Sequence, residues 1–188
     1  MKMLLVVSFC LRVLHVAAQD ETWSDGVVVT TDDQVLTGQI LYNPSFDLVV
    51  FRDHSSRTVV MASKMRSLRY FDASSNINRR FITVQASELI NSAKIFEVVL
   101  DGEVAVLRRS KSGCGASPSD RDGYNYFFAR NSIIMPLKKF RNKFYPEVKA
   151  LLREEAMRLG LNPSDDADAI KLIGIYNSRQ FSASLARN

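Results

Sequence analysis

Short apolar runs, separated by turn residues, follow one another through the chain after residue 22. Five runs of apolar and β-branched residues each end in a stretch containing Asp, Asn, Ser or Gly: 26–31, 35–42, 48–51, 58–61 and 67–71. Runs of this length, repeating every 8–12 residues or so, are typical of a small all-β unit. The pattern predicts a small β-barrel-like module over residues 19–72, of the size of an SH3-like barrel.

A second β-rich region follows the polar connector 73–79. Further strands are predicted at 80–84, 95–100, 103–108, 124–129 and 133–135. Asp101-Gly102 lies between two of them, and this dipeptide favours a tight two-residue hairpin because both turn residues take positive φ. Residues 110–123 are rich in serine and glycine and predict an exposed loop.

After Met135 the spacing of the apolar residues changes to three or four. The residues that follow this spacing are Leu137, Phe140, Phe144, Val148, Leu151, Leu152 and Leu159. They predict an amphipathic helix over 137–159, bent at Pro146. A second helix is predicted after Ser164, where three aspartates suit a helix N-terminus. The expected fold class is α+β. Residues 80–177 are expected to form a second β-meander followed by the two helices, either as a separate domain or as one continuous domain with residues 19–72. Residues 178–188 are expected to form a flexible tail.

The first 18 residues have the layout of a secretory signal peptide. Lys2 precedes an apolar run at 3–11, and small residues end at Ala18. The run is too short to span a bilayer, which needs about 20 apolar residues. We expect cleavage after Ala18 and export, to the periplasm, the outer-membrane surface or the extracellular space. Arg12 leaves an uncleaved anchor as the alternative.

Composition narrows the chemistry that the chain can perform. Hydrophobic residues make up 46% and charged residues 24% of the 188 residues, with a mean hydropathy of −0.07. These values exclude a disordered chain and a polytopic membrane protein. Without residues 1–18, His54 and Cys114 are the only members of their types. Cys114 is therefore a candidate free thiol, and we expect no cofactor, no metal site and, on balance, no enzymatic activity.

Charged residues suggest two further hypotheses. Lys138, Lys139, Arg141 and Lys143 form a candidate anion-binding patch, which could equally be the solvated face of the predicted helix. The carboxylates of Glu97, Asp120 and Asp122 could serve a hydrolase that cleaves a cell-envelope polymer.

Several segments resemble a group of uncharacterised exported proteins of Bacteroidota-type Gram-negative bacteria. They are WSDGVVV at 23–29, LTGQILYN at 36–43, RYFD at 69–72, NRRF at 78–81, FEVVLDG at 96–102 and YN at 176–177. In some of those proteins the region precedes an outer-membrane barrel. The resemblance covers about residues 23–177 and implies an envelope location, but it brings no catalytic residue.

These observations favour an exported, non-enzymatic interaction module of the envelope or the extracellular space. The alternatives are the carboxylate hydrolase and a surface protein that binds anionic lipid or polysaccharide. An envelope protein is a further candidate partner, and no nucleic acid is expected.

We predict that the mature protein in its native host begins at Gln19 or within a few residues of it, because the small residues before Gln19 suit signal peptidase. Intact-mass and N-terminal peptide measurements on the protein from that host test this directly. Recovery of a chain with an intact Met1 from the cytoplasm would contradict it.

Overall fold

Strands occupy the first two thirds of the described chain and helices the last third. The computed structural model describes residues 23–54, 56–85, 93–111, 123–131 and 133–185. The strands are β1 (Ser24–Thr30), β2 (Val35–Asn43), β3 (Leu48–Arg52), β4 (Arg57–Met61), β5 (Met65–Asp72), β6 (Ile77–Gln85), β7 (Ala93–Leu100), β8 (Ala105–Ser110), β9 (Tyr124–Arg130) and β10 (Ile133–Pro136). The helices are α1 (Phe140–Lys143), α2 (Tyr145–Leu159) and α3 (Asp166–Leu185), and 3₁₀ turns lie at Ala62–Lys64 and Leu137–Lys139.

All ten strands belong to one antiparallel sheet. Its order is β10-β9-β8-β7-β6-β5-β1-β2-β3-β4. β5 and β6 pair with each other, with Ser67 opposite Ile82, so the two β-rich regions share one sheet. β6 begins at Ile77, inside the predicted connector 73–79, which places Arg79 on a strand. The β-rich character of the chain and its C-terminal helices are as expected from the sequence.

Two apolar clusters pack on the sheet. The first joins β1–β7 and contains Val28, Ile40, Val49, Phe51, Met65, Leu68, Phe81 and Ile95. The second lies between the sheet and the helices and contains Val106, Phe128, Leu137, Phe140, Phe144, Leu152, Leu172 and Tyr176. Alternate residues of β8 and β9 enter the second cluster, as the two-residue period of a strand requires.

The segment predicted as one bent helix over 137–159 is divided. A 3₁₀ turn leads into α1, and α2 starts at Tyr145, just before Pro146. The break follows from Pro146, which lacks an N–H and fits only the first turn of a helix. Within residues 137–185 the structure therefore has three helices, where two were predicted. Gly160 ends α2 at φ 64°, and the Leu161 N–H donates to the Ala156 carbonyl.

The apolar spacing predicts a buried stripe of five residues, Phe140, Phe144, Val148, Leu151 and Leu152, and one of the five is exposed. Leu159, the last residue of α2, is 48% exposed as well. Val148, Leu152 and Ala156 of α2 are buried at a spacing of four, but Leu151 is 43% exposed. Position 151 is rotated about 100° from 152 on a helix, so it falls on the flank of the buried stripe. The prediction was wrong for Leu151 and right for Phe140, Phe144, Val148 and Leu152.

The last helix is longer than the sequence suggested. α3 runs to Leu185, through most of the segment 178–188 that was expected to be a flexible tail. Arg179 explains the extension, because its guanidinium donates to the Leu151 carbonyl and to Glu155 of α2. No helix in the described ranges combines the length and the apolar character needed to cross a membrane.

The β7–β8 connection differs from the predicted two-residue turn. β7 ends at Leu100 and β8 begins at Ala105, so four residues, 101–104, join the strands. The amide of Asn177 in α3 holds this connection: the Val104 N–H donates to Asn177 Oδ1 at 3.0 Å, and Asn177 Nδ2 donates to the Val104 carbonyl at 2.9 Å. Gly102 lies against this amide at φ 147°, so the positive φ expected at Gly102 is present, whereas the one expected at Asp101 is not.

Gly102→Ala should lower the free energy of unfolding by about 1–3 kcal/mol, because φ is unfavourable for alanine and a Cβ would overlap the Asn177 side chain. Gly174→Ala is the matched control. Gly174 lies inside α3 with room for a Cβ, so there alanine should stabilise by about 0.5–1 kcal/mol. Urea unfolding of both variants measures the difference, and equal shifts would show that the Asn177 contact is absent.

Candidate functional site

A pocket of about 260 Å³ lies on the curved face of the sheet. We call it the arginine–tyrosine pocket. Its lining residues are Tyr42, Pro44, Tyr70, Asp72, Arg79, Phe81, Glu97, Arg108, Arg109, Ser110 and Tyr124. They come from β2, β5, β6, β7, β8, β9 and the β2–β3 turn, so the pocket depends on the whole sheet and not on one local motif.

Sheet curvature brings the walls of the pocket together. β2 and β6 are three strand spacings apart in the sheet order, which in a flat sheet would be about 14 Å. The ring centroids of Tyr42 on β2 and Phe81 on β6 are only 5.0 Å apart. Tyr70 stacks on the same Phe81 ring at 5.4 Å. The pocket therefore has an aromatic wall that forms only when the sheet curls.

Glu97 is the central acid of the pocket, and it is fully engaged. The residue is 8% exposed, and its carboxylate accepts hydrogen bonds from two arginines. Arg79 Nη1 lies 3.0 and 3.2 Å from the two oxygens, and Arg108 approaches through Nε at 2.7 Å and Nη2 at 2.9 Å. Glu97 and Arg108 are direct cross-strand partners, so the register of β7 and β8 places this pair.

Asp72 is the second carboxylate of the pocket. Ser74 Oγ donates to it at 2.6 Å and Arg79 Nε at 2.7 Å. These hydrogen bonds, together with one from Ser75, hold the pKa of Asp72 well below its usual range. Arg79 thus bridges the two acids, and Asp72 stays ionised at any physiological pH.

Asp47 holds the outer side of the pocket in place. It lies in the β2–β3 turn at φ 50° and is only 6% exposed. Its carboxylate accepts the Ile95 N–H at 3.1 Å, Lys94 Nζ at 3.0 Å and Arg109 Nη2 at 2.7 Å. Its own carbonyl accepts the Ala62 N–H at 2.9 Å. One residue therefore fastens the β2–β3 turn to β7 and β8.

Besides the two carboxylates, which are paired with arginine, tyrosine hydroxyls and arginine guanidinium groups line the pocket and can donate hydrogen bonds at neutral pH. Burial raises the pKa of Tyr70 to about 12, and it raises the pKa of Tyr42 further, so both hydroxyls stay protonated. The Arg108 guanidinium lies 4.3 Å above the Tyr124 ring. Arg109 Nε is buried and has no hydrogen-bond partner in the described chain. The pocket thus presents phenol and guanidinium groups beside aromatic faces.

The residues singled out from the sequence are dispersed. Lys138, Lys139, Arg141 and Lys143 are exposed on the 3₁₀ turn and α1, and Arg141 Nη1 donates to Ser164 Oγ at 3.0 Å. His54 is exposed in the β3–β4 turn. Cys114, Asp120 and Asp122 lie outside the described residues. Of the three candidate hydrolase carboxylates, only Glu97 is seen, and it lies in the pocket.

Sequence reasoning missed the pocket because its members are far apart along the chain. Arg79 lay in a segment interpreted as a connector, and Asp47 in a segment interpreted as an ordinary turn. Glu97 and Arg108 are opposite each other in the β7–β8 pairing, so a correct prediction of the register of these two strands would have identified this pair. Nothing local predicts the contact between Asp47 and Arg109.

The fold and the pocket thus describe a β-rich protein with an aromatic-walled pocket lined by arginine, tyrosine and paired carboxylate groups. Within the described ranges, no group of three or more His, Cys, Asp or Glu residues could hold a metal ion. No family model matches this chain, and no curated protein sequence or solved structure does so either.

Asp47→Asn should lower the free energy of unfolding by about 2–3 kcal/mol, because it leaves two cations without their counter-charge. Asp33→Asn is a matched control: Asp33 also has positive φ and also pairs with an arginine, Arg66, but both side chains are exposed. That change should cost less than about 1 kcal/mol. Thermal and urea unfolding of the two variants measure both changes in the free energy of unfolding. Similar decreases would mean that Asp47 does not hold the β2–β3 turn to β7 and β8.

Proposed function

We propose that this protein is an exported, non-enzymatic interaction module of the envelope or the extracellular space, and that the arginine–tyrosine pocket is its ligand site. The observation that carries the proposal is the state of the pocket carboxylates. Both are already hydrogen-bonded and paired with arginine, whereas the tyrosine hydroxyls and the guanidinium of Arg109 line the same pocket.

The alternative, a carboxylate hydrolase built on Glu97, is less well supported. A general acid needs a carboxyl group that keeps its proton near neutral pH. Asp72 has a lowered pKa, and both oxygens of Glu97 accept charged hydrogen bonds from Arg79 and Arg108. Each of the two carboxylates already accepts hydrogen bonds from arginine, which argues against the role of general acid.

The dimensions and charge of the pocket suggest what it would hold. Its volume is below the roughly 300–1,000 Å³ of typical small-molecule sites, so it suits one ring or one side chain of a larger partner. Four cations, Arg79, Arg108, Arg109 and Lys94, face the three carboxylates of Asp72, Glu97 and Asp47 in and beside the pocket. One extra negative charge or several oxygen acceptors would therefore be favourable. A sugar ring, or an acidic side chain on an aromatic wall, meets these requirements.

We further propose that residues 19–72 form an SH3-like barrel and that the protein is exported. β1–β5 in the order β5-β1-β2-β3-β4, with a 3₁₀ turn between β4 and β5, support an SH3-like barrel at residues 19–72. The signal-peptide pattern at 1–18 and the resemblance to exported Bacteroidota-type proteins support an envelope or extracellular location. A partner in the envelope would then present the group that enters the pocket.

Filling the pocket tests the proposal without removing any of its charged groups. Ser110→Phe adds a ring to the lining, and Ala150→Phe adds the same ring to the exposed surface of α2. We expect wild type and Ala150→Phe to bind members of an array of uronic-acid glycans and acidic peptides. Ser110→Phe should weaken that binding by at least about tenfold, because the ring occupies the ligand volume.

Three results would contradict the proposal. If the wild type binds no glycan and no peptide of the array, the proposed ligand class of uronic-acid glycans and acidic peptides is wrong. Equal binding by both phenylalanine variants would place the ligand elsewhere. Cleavage of a bound glycan by the wild type, lost in Glu97→Gln, would favour the hydrolase.

A further inference from the structure

A second charged surface lies on the helical part of the protein, apart from the arginine–tyrosine pocket. We call it the basic face. It consists of Lys138, Lys139, Arg141, Lys143, Lys149 and Arg153, all of which are exposed. In the described part of the chain, Arg141 bonds only to the Ser164 hydroxyl, and the other five make no ion pair. Six cations on one stretch of chain therefore keep their charge unneutralised.

The acidic residues nearby do not cancel this charge. Glu147 pairs with Arg130 of β9 at 3.0 Å, and Glu155 pairs with Arg158 and Arg179. Glu154 is the remaining acid of α2. On a helix of 3.6 residues per turn it lies on the flank opposite Lys149. The basic face is thus not the mixed-charge surface of an ordinary solvated helix.

Helix geometry leaves one flank of α2 uncovered. Lys149, Arg153 and Met157 are spaced by four residues and so share one flank. α3 packs on the other flank, where Arg179 donates to the Leu151 carbonyl. Met157 is 67% exposed, which places an apolar side chain beside the cations. This combination is typical of helices that rest on a lipid headgroup layer.

We propose that the basic face binds the surface of an anionic phospholipid bilayer. Four of its six cations are lysines, which act as flexible point charges and suit a fluid layer of phosphates. None of the six members is aromatic, so the face lacks the ring on which a sugar would stack. Docking through this surface would hold the protein at a membrane, independently of the pocket and its ligand.

Vesicle binding tests the proposal. The wild type should cosediment with phosphatidylcholine vesicles that contain phosphatidylglycerol, far less with pure phosphatidylcholine, and less as salt is added. Lys139→Glu/Lys143→Glu should weaken the binding at least about 25-fold, given about fivefold for each cation. Lys64→Glu/Arg69→Glu is the control. It changes net charge equally at exposed residues of the first β-rich region, so the loss should stay within about threefold.

Two further measurements locate the contact. Met157→Trp adds an indole to the flank, and its emission should shift to the blue with phosphatidylglycerol vesicles, relative to the wild type carrying Trp23 alone. Ser110→Phe, which fills the pocket, should leave vesicle binding unchanged, so failure of the pocket proposal and failure of this one are separable. All proteins are expressed and purified alike, which makes any contribution of residues 1–22 common to them.

Several outcomes would overturn the proposal. They are absence of vesicle binding by the wild type, binding that does not require phosphatidylglycerol, and equal losses in the two double variants. If the emission of the Met157→Trp variant does not shift, the flank of α2 that carries Met157 does not contact the bilayer. Binding to alginate without binding to vesicles would assign the basic face to an acidic polysaccharide instead.

Discussion

The carboxylate of Asp47 is the contact on which the architecture depends. It is buried in the β2–β3 turn and bonds to the Ile95 backbone, to Lys94 and to Arg109. The strands it joins are distant in the sheet order, so this contact requires the sheet to curl. Curling in turn brings Tyr42 against Phe81 and creates the aromatic wall of the pocket. A flat version of the same sheet would have neither the pocket nor the closed apolar cluster of β1–β7.

Features governed by neighbouring residues were predictable from the sequence. Runs of alternating apolar residues predicted the strands, and Gly160 marked the end of a helical segment for reasons of backbone geometry alone. Features governed by distant residues were not. Asp47 and Arg109 are 62 positions apart, and the extension of α3 depends on Arg179 reaching α2. The β7–β8 connection likewise departs from its local turn preference, because the side-chain amide of Asn177 makes three hydrogen bonds with the backbone of Asp101 and Val104.

The pocket and the basic face use positive charge in opposite ways. In the pocket, Arg79 and Arg108 are paired with the carboxylate of Glu97, so the orientation of each guanidinium plane and of its N–H groups is fixed. Among the described residues, the lysines of the basic face make no ion pair, so they act as point charges on flexible side chains. The first arrangement favours selective recognition of one group, and the second favours a diffuse layer of anions. A protein with both can be retained at a charged surface while it selects a ligand there.

The contact between Asn177 and the β7–β8 connection has a consequence for the order of events during synthesis. The two partners, Val104 and Asn177, are 73 positions apart. Because a chain grows from its N-terminus, the strands on either side of Gly102 emerge from the ribosome long before the helix that fixes their connection. Assembly of this region is therefore a late step that waits for the C-terminal helix, as is usual for long-range contacts. A chain that is stopped before position 177 would carry all ten described strands and still lack the residue that holds the β7–β8 connection.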